Sequence, residues 1–225
     1  MELLLTKLRH PSPPSDFVLR PRLSSIVSRG LGQTLTLISA PAGFGKTVLA
    51  SSVLETSPLP HAWLSLDKQD SDLRVFLEYL LAAIESIFSQ ALPRTRLVLA
   101  SATLPPAGVI ATSLINELLE LDREFVLVLD DAHVLNEPDV LDLMAALLQS
   151  APENLHLVLI ARRDLPLPLD RLRAGGQVTE IRSGELRFSA AEMAEFVDLA
   201  LAVPLADEEF ARLVERTEGW AAALR

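Results

Sequence analysis

The residues best suited to chemistry lie between Ala40 and Thr47, in the order Ala-Pro-Ala-Gly-Phe-Gly-Lys-Thr. They follow an apolar, β-rich stretch at residues 34–39 and precede an apolar helical pattern that runs to about Leu54. A glycine-rich turn between a strand and a helix can surround phosphate oxygens with backbone N–H groups, and a helix N-terminus attracts anions. The pattern therefore predicts a phosphate-binding loop.

Each part of this loop has a separate expected role. Lys46 is expected to reach the β- and γ-phosphates, and Thr47 to bind Mg²⁺ through its hydroxyl. Ala40 stands where the common pattern has glycine, which is tolerable if its φ stays below zero. The alternative is a strand-to-helix turn with no ligand. The other loop positions expected to contact the nucleotide are Pro41, Ala42, Gly43, Phe44, Gly45 and Val48.

An acidic pair, Asp130 and Asp131, follows the continuous apolar run at residues 125–129. A carboxylate at the end of a buried strand is the Walker B pattern, in which Asp130 holds Mg²⁺ directly or through water. Asp131 lies where many ATPases place the carboxylate that polarises the attacking water. Because aspartate is shorter than the glutamate of fast hydrolases, we expect slow turnover. The alternative is that both acids cap the next segment.

A further apolar run at residues 155–161 ends in Arg162 and Arg163. In the additional-strand class of P-loop proteins, such a strand lies between the two motif strands and presents a polar sensor beside the γ-phosphate. Arg162 is our candidate sensor, and a solvated loop arginine is the alternative.

Trp63 and Trp220 are expected to pack in the core. None of the four histidines has a second ligand at metal spacing.

The elements that must position these residues alternate along the chain. Predicted strands cover residues 34–39, 61–67, 125–130, 155–161 and 177–182, and predicted helices cover residues 23–29, 72–88, 107–121 and 140–149 besides the one after the loop. Buried strands alternating with helices predict an α/β fold with a five-stranded parallel sheet covered on both faces. After residue 187 only helices are expected, over residues 190–201 behind a Ser189–Glu192 capping box, residues 207–216 and from residue 219.

The chain is predicted to have three parts. Residues 1–30 are predicted to form a proline-rich strap and lead-in helix, and residues 31–187 the P-loop NTPase core. Residues 188–225 are predicted to begin a helical subdomain. Because the sequence ends inside an apolar helical pattern, we expect that subdomain to continue in a longer polypeptide.

Composition excludes several classes of protein. A formal net charge of −10 argues against direct nucleic-acid binding by these residues. The absence of cysteine excludes disulfides and thiol chemistry. No apolar run approaches the roughly 20 residues that a bilayer requires, so we expect no membrane contact and a cytoplasmic location.

Several segments recur together, in this order, in one known family. The segments are Thr6-Lys-Leu8, Arg20-Pro-Arg-Leu23, Leu37-Ile-Ser-Ala-Pro-Ala-Gly-Phe-Gly-Lys-Thr47, Ala62-Trp-Leu-Ser-Leu-Asp67, Val128-Leu-Asp-Asp-Ala-His133, Arg162 through Leu169, and Thr217-Glu-Gly-Trp220. They resemble the amino-terminal ATPase domain of the MalT-like large ATP-binding regulators of the LuxR family, within the STAND class of P-loop NTPases.

The resemblance implies an ATP-dependent switch with ATP or ADP and Mg²⁺ as ligands. It also implies self-association of the full-length parent, with inducer and DNA bound by downstream domains. STAND proteins commonly carry a Gly-x-Pro motif on the base or ribose, whereas this chain has Gly219-Trp-Ala221. The strap residues Arg20 and Arg22, with Val18 and Leu19, are therefore expected to enclose the base.

These inferences converge on an ATP-binding, slowly hydrolysing module of a transcriptional regulator, a weak Mg²⁺-dependent ATPase. The first alternative is a P-loop kinase or hydrolase that acts on a separate small substrate. The second is a structural domain that holds nucleotide for stability.

Overall fold

A computed structural model describes residues 2–14, 17–200 and 205–224. Its centre is one five-stranded sheet with the order β2-β3-β4-β1-β5, in which every neighbouring pair is parallel. The strands are β1 (Leu35–Ser39), β2 (His61–Ser65), β3 (Phe125–Asp130), β4 (Leu155–Ala161) and β5 (Val178–Arg182). The predicted α/β fold class is confirmed.

The helices connect the strands and cover the sheet. The helices before β4 are α1 (Pro21–Gly30), α2 (Lys46–Thr56), α3 (Leu73–Glu85), α4 (Pro93–Leu99), α5 (Ala107–Leu119) and α6 (Pro138–Gln149). Those after β4 are α7 (Asp170–Ala174), α8 (Ser183–Leu186), α9 (Ala190–Ala200) and α10 (Asp207–Thr217). Short 3₁₀ turns occupy Leu5–Leu8, Lys68–Ser71, Ala132–Val134 and Ala221–Leu224.

Residues of β1, β3 and β4 are buried along their whole length because apolar layers cover both faces of the sheet. The larger layer packs α3, α5 and α6 on one face, with Leu37, Leu127 and Leu159 pointing into it. The smaller layer packs α1 and α2 on the other face, against Ile38 and Val158. Alternate residues of a strand thus serve opposite cores.

The strand order decides where chemistry can occur. β4 lies between β1, which leads into the glycine-rich loop, and β3, which ends in the acidic pair. Because all the strands are parallel, their carboxyl ends lie at one edge of the sheet, where ligands of open α/β sheets bind. The predicted position of the third strand between the motif strands is confirmed.

Four local expectations were wrong. α1 begins at Pro21 rather than at the predicted residue 23, because proline is compatible with the first turn of a helix. β5 is an edge strand in which only Ile181 is buried. The residues after Gly219 form a 3₁₀ turn rather than a new α-helix, and Trp220 is 42% exposed instead of packed in the core. Within the ranges described, no helix has the length and apolarity needed to cross a bilayer.

Candidate nucleotide-binding site

The glycine-rich loop joins β1 to α2 and owes its shape to two glycines. Gly43 and Gly45 have φ values of +79° and +72°, which residues with a Cβ adopt at a cost. Ala40 keeps a φ below zero, as an alanine at that position requires. Gly45 directly precedes α2, so the loop delivers the chain to the positive end of an eleven-residue helix.

Thr47, on the first turn of α2, faces Asp130 at the end of β3. The Thr47 hydroxyl donates to the Asp130 carboxylate, with Oγ1 3.0 Å from Oδ2 and 3.2 Å from Oδ1. The Asp131 N–H also donates to Asp130 Oδ1, at 2.8 Å. Asp130 is only 6% exposed, and burial raises the pKa of its carboxyl above the usual range. A hydroxyl beside a carboxylate is an oxygen donor set that fits Mg²⁺.

Lys46 lies in the same recess and is 7% exposed. Its ammonium donates to the Pro41 carbonyl, with Nζ 2.9 Å from the oxygen. Desolvation lowers the pKa of Lys46, and Arg162 lowers it further, while Asp131 and Asp130 oppose the shift. No carboxylate lies within ion-pair distance of Lys46 in the described part of the chain, so its charge faces the loop.

Asp131 follows Asp130 in a left-handed conformation, with a φ of +56°. This unusual backbone turns its half-exposed carboxylate toward two cationic or polar side chains. Arg162 Nε lies 3.6 Å from Asp131 Oδ1, and His133 Nδ1 lies 3.7 Å from the same oxygen. The structure therefore brings together the predicted water-polarising acid and the predicted sensor, and adds His133, for which no role was predicted. Their action on nucleotide stays a prediction.

An apolar cavity of about 250 Å³ adjoins the loop. Its lining comes from the amino-terminal strap, the loop with α2, and the helices after β5. The lining residues are Pro14, Phe17, Val18, Arg20, Gly43, Phe44, Gly45, Val48, Leu49, Phe188, Phe196, Ala221 and Ala222. A pocket of aromatic and aliphatic side chains beside a phosphate-binding loop suits a flat base.

The predicted base-enclosing residues divide into two groups. Val18 and Arg20 line the cavity, but Arg20 is committed to protein contacts: its guanidinium donates to the Leu186 and Arg187 carbonyls, at 2.9 and 2.7 Å. Arg22 does not line the cavity and instead donates to the Glu185 carbonyl at 2.9 Å. Leu19 is 57% exposed and also lies outside the lining.

The carboxy-terminal turn rests directly on the phosphate loop, a contact that the sequence did not suggest. The Trp220 indole N–H donates to the Ala42 carbonyl at 3.2 Å, and the Ala222 N–H donates to the Gly43 carbonyl at 3.0 Å. A Cβ on Gly43 would lie 2.5 Å from the Ala222 Cβ. Trp220 belongs to the recurring Thr-Glu-Gly-Trp segment, which was the available signal for its role. Phe188 and Phe196 carried no such signal.

A larger cavity, of about 770 Å³, lies at the amino ends of the strands and is lined by residues such as Gln33, Glu124 and Gln177. It is at the opposite edge of the sheet from Lys46, Thr47 and Asp130. Because parallel α/β sheets bind ligands at their carboxyl edge, the smaller cavity is the better candidate.

Comparison with protein families identifies the domain. The family model described as AAA ATPase domain matches residues 19–160, which include the loop, both acids and all of β4 except Ala161. The chain belongs to the AAA ATPase domain family. The phosphate loop and both acids thus lie inside the matched region, whereas Arg162, the carboxy-terminal turn and part of the cavity lining lie outside it.

Curated relatives include transcriptional regulators. The chain is 34% identical over 224 residues to the HTH-type transcriptional regulator MalT of Yersinia enterocolitica, covering 99% of this chain and 25% of that protein. It is 33% identical over 223 residues to the serine/threonine-protein kinase PknK of Mycobacterium tuberculosis, covering 98% of this chain and 20% of the kinase. The resemblance to MalT regulators is confirmed, and the chain spans about a quarter of their length.

Solved structures share the fold at low identity. The Walker-type ATPase of Pyrococcus abyssi matches with a TM-score of 0.57 at 20% identity, over 98% of this chain and 69% of that one. The ORC1 protein of Aeropyrum pernix in complex with DNA matches with a TM-score of 0.52 at 17% identity, over 94% of this chain and 59% of that one. These likenesses support the P-loop NTPase fold.

Proposed function

We propose that the chain is the ATP-binding switch module of a MalT-like transcriptional regulator, with slow Mg²⁺-dependent hydrolysis. One observation carries the proposal. The Thr47 hydroxyl and Asp130 carboxylate, 3.0 Å apart, lie beside the Lys46 ammonium, and the loop that leads into Lys46 and Thr47 also lines an apolar cavity. The site therefore has a region for the phosphates directly beside a region for the base, as binding of a nucleoside triphosphate requires.

The residues fit ATP and Mg²⁺ chemically. Thr47 and Asp130 offer hard oxygen ligands. Among the residues that the structure describes, Lys46 has no carboxylate partner to give up when its ammonium turns from the Pro41 carbonyl to a phosphate. Bound Mg²⁺ would neutralise negative charge on the β- and γ-phosphates. Binding of a cation also offsets the cost of burying the ionised Asp130, whose pKa is raised by desolvation.

Asp131 and Arg162 are the residues we assign to hydrolysis. Asp131 is half-exposed and can accept a proton or hydrogen bond from water. Arg162, whose Nε lies 3.6 Å from Asp131 Oδ1, would exchange that partner for a phosphate oxygen. The short aspartate side chain and its competing contact with Arg162 both favour slow turnover. His133, 3.7 Å from Asp131 Oδ1, limits the orientations open to that carboxylate.

We further propose that nucleotide state acts on the rest of the parent protein through the carboxy-terminal turn. Trp220 and Ala222 bind the carbonyls of Ala42 and Gly43, so a change in loop conformation alters their hydrogen bonds. ATP and ADP can shift the turn only if they bind its two arrangements with different affinities. Residues 188–225 would then begin the helical subdomain that transmits the change.

Inducer binding, DNA binding and self-association are assigned to the parent protein outside these residues. The acidic net charge of −10 does not suit a phosphate-backbone partner. The similarity to regulators about four times as long leaves room for such domains. A cytoplasmic location is part of the same proposal.

The test is to measure bound nucleotide and turnover on the same purified protein. The proposal predicts stoichiometric binding of ATP or ADP, with turnover far below the roughly 10 per second of a typical enzyme. Thr47→Ala should abolish the Mg²⁺ dependence of binding, and Thr56→Ala, at the far end of α2, serves as the matched control. Rapid turnover that responds to a small-molecule acceptor would support the kinase or hydrolase alternative instead. Absence of nucleotide binding would overturn both.

A further inference from the structure

We infer that Lys7 and His10 are positioning residues for the base pocket, because they anchor the strap that forms one of its walls. The strap comprises residues 10–20, of which 15 and 16 lie outside the described ranges. The inference rests on the proposed ATP site and assigns residues to its base end. Neither Lys7 nor His10 lines the cavity itself.

Lys7 forms the first anchor, through contacts with Asp67 and Asp70 in the turn that follows β2. Its ammonium lies 2.5 Å from Asp70 Oδ2 and 3.0 Å from Asp67 Oδ2, and 4.3 Å from the centre of the Tyr79 ring. Asp70 is fully buried, and its Oδ2 also accepts the Asp67 N–H at 2.6 Å. Lys7 supplies the cation for this buried carboxylate, and the pair holds Lys7 strongly because losing it would leave a buried charge uncompensated.

His10 forms the second anchor, three residues later, between β2 and α2. Its Nε2 lies 2.9 Å from Ser51 Oγ, and its Nδ1 lies 3.1 Å from His61 Nε2. Its ring also stacks on Trp63, with ring centres 5.2 Å apart. The Ser51 hydroxyl donates its proton to the Pro11 carbonyl, so the strap backbone is also bound to α2 at this point.

Prolines limit bending of the described residues that follow the second anchor. Pro11, Pro13 and Pro14 lie in succession after His10, and proline fixes φ, which limits bending. Pro14, Phe17 and Val18 then line the cavity, and Arg20 closes the strap onto the carbonyls of Leu186 and Arg187. The strap is thus held at both ends with the pocket wall between them.

The phosphate end has independent supports. Lys46 contacts Pro41, and Thr47 contacts Asp130, so neither depends on the strap. Loosening the strap at Lys7 or His10 should therefore weaken recognition of the base while leaving recognition of the phosphates intact. A general loss of stability would weaken both.

The experiment compares Mg-ATP with Mg-tripolyphosphate as ligands of the full chain, by calorimetry. Lys7→Met with Asp70→Asn removes the first anchor without leaving a buried charge, and His10→Ala removes the second. For each we expect the dissociation constant for ATP to rise about tenfold, and that for tripolyphosphate to change less than about twofold. Arg9→Ala and Lys68→Met, exposed neighbours of the anchors, are the matched controls and should change neither.

The outcomes separate this inference from the proposed function. If wild-type protein binds both ligands and the variants bind ATP as tightly as wild type does, the inference is wrong although the proposed function stands. Equal losses for ATP and tripolyphosphate would assign Lys7 and His10 a merely structural role and would also overturn it. If wild-type protein binds neither ligand, the proposed function itself is wrong. His10→Ala carries the test alone if the paired variant does not fold.

Discussion

Alanine substitutions at Gly43 and Gly45 distinguish two constraints on the phosphate loop, namely its left-handed backbone and its contact with the carboxy-terminal turn. Both glycines have left-handed φ values, +79° and +72°, so each substitution carries the conformational cost of that region, about 1 kcal/mol. Their surroundings differ. A Cβ on Gly45 would meet no atom within 4 Å, whereas one on Gly43 would lie 2.5 Å from the Ala222 Cβ and 2.9 Å from Trp220 Nε1.

The turn, rather than the loop, should give way in Gly43→Ala, because Trp220 is already 42% exposed. Its displacement breaks the hydrogen bonds from Trp220 to Ala42 and from Ala222 to Gly43. At about 1 kcal/mol each, these add about 2 kcal/mol. We expect the free energy of unfolding to fall by about 3 kcal/mol in Gly43→Ala and about 1 kcal/mol in Gly45→Ala.

Urea denaturation measures the two losses, and tryptophan fluorescence locates the change. Trp63 is 2% exposed and far less sensitive to solvent than Trp220, so Gly43→Ala should shift the emission to longer wavelength and Gly45→Ala should not. In a Trp220→Ala background, the difference between the two substitutions should shrink. Equal destabilisation by both substitutions, with unchanged emission, would refute the contact between the turn and the loop.

Three further predictions concern the acids and a buried histidine. Asp131→Asn should retain ATP but slow its hydrolysis, measured by single-turnover phosphate release; unchanged release would exclude Asp131 from the reaction. Asp130→Asn should remove Mg²⁺-dependent ATP binding but increase the free energy of unfolding of nucleotide-free protein at neutral pH. The reason is that burial raises the pKa of Asp130, so the ionised carboxylate destabilises the native state. Loss of stability in this variant would contradict the prediction. Burial lowers the pKa of His156 from 6.5 to about 4, so the native state binds fewer protons and stability should fall by about 3 kcal/mol as pH falls across that interval. His156→Gln should lack that dependence, as seen by denaturation at several pH values.

The sheet and the phosphate loop were predictable because their signals are local. Continuous apolar runs such as Phe125–Asp130 identify buried parallel strands. The Gly-Lys-Thr residues of the phosphate loop are adjacent in the sequence, so their motif is recognisable without knowledge of the fold. The structure gives β3 and β4 the same bounds as the sequence did. Side chains that act across a single turn are therefore accessible to sequence reasoning.

Contacts between distant segments were not predictable. Helix α4 (Pro93–Leu99) was missed because its cap comes from α5: the Glu117 carboxylate accepts the N–H groups of Arg94 and Thr95, at 2.6 and 2.9 Å. The residue before Pro93 is Leu92, which has no side chain that could cap the helix, so the local sequence does not indicate a helix start. Likewise, the hydrogen bond from Trp220 to Ala42 joins residues 178 positions apart, so an aromatic residue in an apolar stretch was read as core.

The pocket walls illustrate the same limit. Arg20 and Arg22 were both expected at the base, but only Arg20 lines the cavity, and its guanidinium is bound to the Leu186 and Arg187 carbonyls. The direction of a long side chain depends on which carbonyls lie nearby in the fold. Phe188 and Phe196, which the sequence did not single out, supply aromatic surface there instead.

The most direct test of the account is calorimetry of ATP binding to wild-type protein and to Lys46→Ala, with and without Mg²⁺. Lys46 is 7% exposed and donates to the Pro41 carbonyl. Within residues 2–14, 17–200 and 205–224 it forms no ion pair, so its removal takes away the charge for the phosphates without breaking one. We predict Mg²⁺-dependent binding by the wild type and no measurable binding by Lys46→Ala, with an unchanged circular dichroism spectrum. Unaltered ATP affinity in a folded Lys46→Ala protein would contradict the assignment of the phosphate loop.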